Sequence, residues 1–87
     1  MTIYYSPRFQ RSYKRLDPQL QKASEKRVAL FRSDPLDQRL DTHRLHGKLK
    51  AYWSFSVDNR HRVLFEFLNA SQDEAIFLDI GNHSLYQ

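Results

Sequence analysis

The chain has 87 residues and a mass of 10.5 kDa, which fits a single domain spanning 1–87 and excludes a two-domain protein. Hydrophobic residues make up 40%, too much for a disordered tail, and the absence of cysteine excludes disulfides, thiolate metal sites and thiol nucleophiles. No apolar run approaches the ~20 residues needed to cross a bilayer, and the first residues do not resemble a secretion signal. We therefore expect a cytoplasmic protein with no membrane partner.

The charge is divided unevenly along the chain. The formal net charge is +4, but residues 1–50 hold twelve basic and five acidic residues, whereas residues 51–87 hold five acidic residues and only two basic ones, Arg60 and Arg62. A basic surface attracts phosphates through counterion release, although it does not by itself distinguish RNA from DNA or from an acidic protein. The charge pattern therefore favours a polyanionic partner and leaves its kind open.

Two stretches of the first half carry the start signals of helices. Ser6 precedes Pro7, and Asp17 precedes Pro18, so each stretch has an N-cap residue followed by a proline at the first helical position. Apolar residues then follow at helical spacing: Phe9, Tyr13 and Leu16 in the first stretch, and Leu20, Ala23, Val28, Leu30 and Phe31 in the second. The second helix should end near Ser33, because Asp34 precedes Pro35 and is pushed out of helical geometry. The pattern predicts a two-helix hairpin.

Strand-like runs surround this hairpin. Residues 2–5 form a short β-prone run, and residues 36–47 are polar and predict a loop. Three further runs at 50–57, 60–68 and 74–80 are joined by short connections suited to hairpins. The order β-α-α-β-β-β predicts an α+β fold with a small, mainly antiparallel sheet. The helices should cover one face, and a basic groove should remain open on the other.

The run at 60–68 places one arginine where chemistry is possible. Strand alternation puts Arg62 on the face away from the helices, whereas Val63, Phe65 and Phe67 face the core. Histidines precede and follow the three strands, and a histidine pair flanking an arginine could serve phosphoryl transfer by acid–base chemistry and charge neutralisation. The alternative is that these are unrelated surface residues, and spacing alone does not decide between the two.

The segment LHGKLKAYWSFSVDNRHRVLFEF, with FLDIGNHSLYQ after a short hairpin, resembles the RelE/ParE superfamily of bacterial type II toxins. The resemblance covers the whole domain and is closest to the RelE, YoeB and YafQ branches, which are mRNA interferases. It implies a metal-independent endoribonuclease without a cofactor, which cleaves mRNA on the ribosome by 2′-hydroxyl attack and thereby inhibits translation. It also implies an acidic antitoxin protein as partner.

The resemblance assigns roles to individual positions. His43, two residues before the leucine of L-x-G, matches a proposed general base, and Arg62 matches the arginine that contacts the scissile phosphate. His83 matches a general acid, and Tyr86 matches a terminal aromatic residue that positions the RNA. Further groove residues that are expected to bind RNA are Lys48, Lys50, Arg60 and His46.

Two other functions remain compatible with the sequence. The ParE branch of the same superfamily poisons DNA gyrase by binding and lacks the catalytic residues. The presence of His83 and Tyr86 argues against a ParE-like function for this chain. The chain could also be a non-catalytic basic module that binds RNA or a protein partner. Cleavage of mRNA would distinguish the interferase from both.

Overall fold

The computed structural model describes residues 1–47, 51–82 and 85. The elements in chain order are β1 (Thr2–Tyr5), α1 (Pro7–Lys14), α2 (Pro18–Ser33), a 3-10 helix (Gln38–Leu40), β2 (His43–Arg44), β3 (Trp53–Ser56), β4 (Arg62–Phe67) and β5 (Glu74–Gly81). No helix in the described part of the chain is long and apolar enough to span a membrane.

Both helices begin at the predicted caps. The Ser6 hydroxyl accepts a hydrogen bond from the Phe9 amide at 3.0 Å, and a carboxylate oxygen of Asp17 accepts one from the Leu20 amide at 2.9 Å. These side chains satisfy amide donors that have no partner inside the helix. The end of α2 at Ser33 is also confirmed.

The five strands form one mixed sheet in the order β1-β5-β4-β3-β2, in which β1 runs parallel to β5 and the other neighbours are antiparallel. The predicted α+β class is therefore confirmed. The structure adds one strand to the prediction, because β2 lies in the segment 36–47 that was expected to be a loop. Two paired residues are too few for the alternation by which a strand is recognised in sequence. Two runs are also shorter than predicted, since β3 and β4 begin at Trp53 and Arg62.

The core lies between the helices and one face of the sheet. Phe31 of α2 is fully buried, and its ring contacts those of Phe55 and Phe65 at centroid distances of 4.9 Å. Phe9 of α1 packs on Phe77 of β5 at 5.6 Å. Aromatic residues with large buried areas thus fix the helices against β3, β4 and β5, and they leave the opposite face to present polar side chains.

The alternation predicted for β4 is largely confirmed. Val63 and Phe65 are fully buried in the core, whereas Arg62 is partly exposed. Leu64, on the same strand, is 8% exposed although it does not belong to the core cluster beneath the helices. Its cross-strand neighbour Ser54 is fully buried.

Candidate active site

The turn between β3 and β4 fixes the start of β4. One carboxylate oxygen of Asp58 accepts hydrogen bonds from the backbone amides of Arg60 at 2.8 Å and His61 at 2.7 Å. Burial raises the pKa of Asp58, but the hydrogen bonds from Arg60 and His61 outweigh it and leave the pKa below its ordinary value. The turn places Arg62 in register with Ser56 on one side and Gly81 on the other.

Arg62 is held at one end of its guanidinium group. Its Nη2 donates to a carboxylate oxygen of Asp41 at 3.1 Å. Its Nη1 is buried and has no hydrogen-bond partner in the part of the chain that the structure describes. Because an unpaired buried donor is costly, a site that leaves one on a cation favours an incoming acceptor such as a phosphate oxygen.

His43 opens β2 and lies in register with Ser54. Its Nδ1 lies 2.9 Å from the backbone oxygen of Asp41. A carbonyl oxygen can only accept, so this hydrogen bond requires the hydrogen to be on Nδ1. In the neutral ring, Nε2 then carries the lone pair, and the exposed His43 side chain can take up a proton there.

Asp41 joins the two predicted catalytic residues. Its carboxylate binds Arg62, and its backbone oxygen binds His43. Asp41 follows the 3-10 helix in the left-handed conformation, with φ 50° and ψ 44°. Aspartate is among the few residues that adopt this conformation readily. No motif in the sequence assigns Asp41 a role, although an aspartate in a polar segment two residues before His43 is a recognisable turn signal.

The other predicted site residues are not part of this arrangement in the described structure. His46 lies exposed after β2, and Arg60 lies exposed in the turn before β4. Lys48, Lys50, His83 and Tyr86 lie outside the described residues. Of the predicted catalytic set, the structure therefore describes His43 and Arg62. Within residues 1–47, 51–82 and 85, no three histidine, aspartate or glutamate side chains form a group that could hold a metal ion.

A second surface feature lies on the helix layer. A cleft of about 470 Å³ between α1 and α2 has Val28 and Ala29 in its lining, with the exposed basic residues Lys14 and Arg32 also contributing. Tyr13 lines it as well, and burial, followed by the charge of nearby Glu25, raises the pKa of this tyrosine. The lining is mostly apolar and carries two basic side chains and one acidic one, Glu25, so its net positive charge suits an amphipathic segment with acidic residues.

The arrangement of two helices on one face of a five-stranded mixed sheet is similar to that of several solved toxin structures. No protein-family model and no curated protein matches the chain. Among solved structures, a YoeB/ParE toxin from Agrobacterium tumefaciens is 16% identical with a TM-score of 0.78, and 95% of this chain and 99% of that chain are covered. YafQ from E. coli BL21(DE3) is 18% identical with a TM-score of 0.76, and the match covers 97% of this chain and 94% of that chain.

A third similar structure is a heterotetrameric YoeB–YefM toxin–antitoxin complex from Staphylococcus aureus, which is 17% identical with a TM-score of 0.75 and covers 95% and 97% of the two chains. At these identities the comparisons establish a shared fold. The fold implied by the resemblance to the RelE/ParE toxins is therefore confirmed.

Proposed function

We propose that this protein is the toxin of a bacterial type II toxin–antitoxin system and acts as an mRNA interferase. The observation that carries the proposal is the placement of His43 and Arg62 around Asp41. Asp41 contacts both residues. His43 has a ring nitrogen that can accept a proton, and Arg62 is a cation with an unpaired buried donor. RNA cleavage by its own 2′-hydroxyl needs both kinds of group.

The proposed reaction is an in-line displacement at phosphorus. His43 Nε2 takes the proton of the 2′-hydroxyl, whose oxygen attacks the adjacent phosphorus. Arg62 neutralises the charge that develops on the non-bridging oxygens. The bond to the 5′-oxygen breaks, and this leaving group receives a proton from His83, as the family resemblance implies. The products are a 2′,3′-cyclic phosphate and a 5′-hydroxyl.

Substrate binding is proposed to depend mainly on charge. Phosphate contacts supply most of the affinity of RNA-binding proteins and make it sensitive to salt. Tyr86 is proposed to stack on or position a base near the cut, as aromatic residues do for unpaired RNA. The proposed phosphate-binding residues are Lys48, Lys50, Arg60 and His46. The proposed substrate is mRNA on the ribosome in the cytoplasm, where cutting would inhibit translation.

The proposed protein partner is an acidic antitoxin. The similar YoeB structure was solved as a complex with its antitoxin, and this chain has its positive charge in residues 1–50. The cleft between α1 and α2 is the surface that we propose for an apolar and acidic antitoxin segment. Growth arrest on expression should disappear when an adjacent small gene is co-expressed. Harmless expression at full protein level in a host with compatible ribosomes would contradict the toxin assignment.

The test that separates the candidate functions is primer extension on mRNA after induction of the protein. Site-specific cuts with the wild-type protein, and none with the His43→Ala variant, would support the interferase. Inhibition of gyrase supercoiling without cuts would support the ParE-like alternative. Absence of both activities in a folded protein would leave the non-catalytic basic module.

A further inference from the structure

Asp41 is bonded to both described members of the proposed catalytic set, through two different groups. Its carboxylate accepts from Arg62 Nη2 at 3.1 Å, and its backbone oxygen lies 2.9 Å from His43 Nδ1. The first contact depends on the side chain of residue 41, and the second depends only on its backbone. The two contacts can therefore be separated by mutation.

The register explains what the carboxylate contact does. Arg62 of β4 pairs with Ser56 of β3, and His43 of β2 pairs with Ser54 on the other edge of β3. Arg62 lies beside Ser56, the last residue of β3, and Asp41 lies two residues before β2 on the other side of β3, so the ion pair reaches across the end of β3. The contact thus directs the arginine towards the strand that carries His43. A free arginine side chain has many rotamers, and most would not do this.

The ion pair with Asp41 uses only one of the two terminal guanidinium nitrogens of Arg62. Nη1 of Arg62 is buried and has no partner among the described residues, so the ion pair leaves one donor available. The Asp41 carboxylate is the more exposed partner, with 66% of its side chain accessible against 32% for Arg62. Asp41 is therefore placed to hold the arginine from the solvent side, while the buried Nη1 keeps a donor that the ion pair does not use.

We infer that Asp41 is a positioning residue that orients Arg62 for the scissile phosphate and fixes the proton-accepting tautomer of His43. The effect on rate rests on the proposed function, whereas the two contacts do not. Asp41 itself touches no reacting atom in the proposed reaction. The opposite role, in which its carboxylate competes with the phosphate for Arg62, predicts faster cleavage or tighter RNA binding when the charge is removed.

The variant for the test is Asp41→Asn, because asparagine also adopts left-handed backbone readily and keeps the carbonyl that binds His43. We expect its single-turnover cleavage rate to fall about tenfold or more, as for a misplaced catalytic group. The shape of the pH–rate profile should not change, because the variant retains the backbone contact to His43. The matched control is Asp37→Asn, which removes a carboxylate paired with Arg39 in the same segment and should leave the rate unchanged.

A double-mutant cycle with Arg62→Ala decides whether Asp41 acts through the arginine. In the Arg62→Ala background, Asp41→Asn should have no further effect on the rate, because the group that it orients is gone. A tenfold loss that persists in that background would overturn the inference. A rate for Asp41→Asn alone that equals or exceeds that of the wild type would also overturn it.

A measurement without substrate separates this inference from the proposed function. NMR of the wild-type protein should show hindered rotation of the Arg62 guanidinium and the Nδ1-protonated tautomer of neutral His43. Asp41→Asn should weaken the first signature, because a neutral amide oxygen accepts less strongly than a carboxylate, and it should keep the second. If the wild type cuts no RNA but shows this pattern, the function fails and the positioning role of Asp41 stands. If Asp41→Asn leaves the Arg62 signature unchanged, the positioning role fails.

Discussion

Arg62 in β4 and Asp41 beside β2 form an ion pair across the intervening strand β3, with 3.1 Å between Nη2 and the carboxylate oxygen. Strands in a sheet are about 4.8 Å apart, so β4 and β2 are separated by roughly 10 Å. An extended arginine and an aspartate together can span this distance. The pair brings a cation from the centre of the sheet towards the edge strand that carries His43.

Replacing Arg62 should abolish most of the cleavage. If Arg62 neutralises the phosphorane, Arg62→Ala should raise the barrier by about 3 kcal/mol or more, which is on the order of a hundredfold in rate. Arg62→Lys should recover only part of this loss, because it retains the charge and loses the planar fork. Single-turnover kinetics with a ribosome-bound mRNA measure the effect. A rate within about twofold of the wild type for Arg62→Ala would exclude the residue from the mechanism.

Arg60 provides the matched control for Arg62. It lies two residues earlier and is exposed in the turn, where its backbone amide is bonded to Asp58. Arg60→Ala removes the same charge from the same hairpin, so it should weaken RNA binding and reduce the salt dependence of affinity. The rate at saturating RNA should stay near that of the wild type. Equal losses of rate in both variants would indicate a general charge effect.

His43→Ala should slow cleavage by about a hundredfold or more, with RNA binding largely retained, because the lost group moves a proton and the affinity depends on phosphate contacts. His46→Ala is the matched control, since His46 is exposed three residues further on and makes no described contact with Asp41. A larger effect of His46→Ala would reverse the assignment of the base.

A modified RNA substrate can distinguish the role of the proposed acid, His83, from that of the proposed base, His43. His83→Ala should also slow cleavage by about a hundredfold or more, because the 5′-oxygen is a poor leaving group without a proton. RNA with a bridging sulfur in place of that oxygen needs no such proton. This substrate should restore much of the rate of His83→Ala but not that of His43→Ala. Rescue of both variants, or of neither, would contradict the two roles.

The fold was predictable from sequence wherever local signals agreed. Ser6 and Asp17 mark the helix starts because a cap side chain acts within three residues of its own position. The alternation around Val63 and Phe65 identified the core face of β4, since burial on one side of a strand has a period of two. These signals are local, so a single sequence contains them.

The site was predictable only in part, because its geometry depends on long-range contacts. Arg62 and His43 were identified, but their common partner Asp41 lies twenty-one residues before Arg62 and contacts it only through the pairing of three strands. The strand β2 was missed for the same reason: two polar residues form a strand there because β3 lies beside them. Neither relationship is present in any short window of the sequence.

The stability that the turn before β4 contributes to the fold should depend on pH through Asp58. Its carboxylate accepts the amides of Arg60 and His61, and its pKa in the folded protein lies below the ordinary value of 3.8. As the pH falls, the unfolded state therefore takes up the proton first. The stabilisation by Asp58 is fully present above pH 3.8 and is lost as the pH falls through the lowered pKa. Denaturant unfolding at a series of pH values should show the gap between wild type and Asp58→Ala narrowing in acid.

Asp73 is the control, because it occupies the corresponding turn between β4 and β5. Its pKa is also lowered, chiefly by a hydrogen bond from Asn69, but this turn lies at the end of β4 away from Arg62. Loss of either turn carboxylate should lower the free energy of unfolding, because each accepts hydrogen bonds that order its turn. Only Asp58→Ala should also slow RNA cleavage, since it alone loosens the strand end that orients Arg62. Equal slowing by Asp73→Ala would mean that overall stability, rather than the position of Arg62, limits the rate.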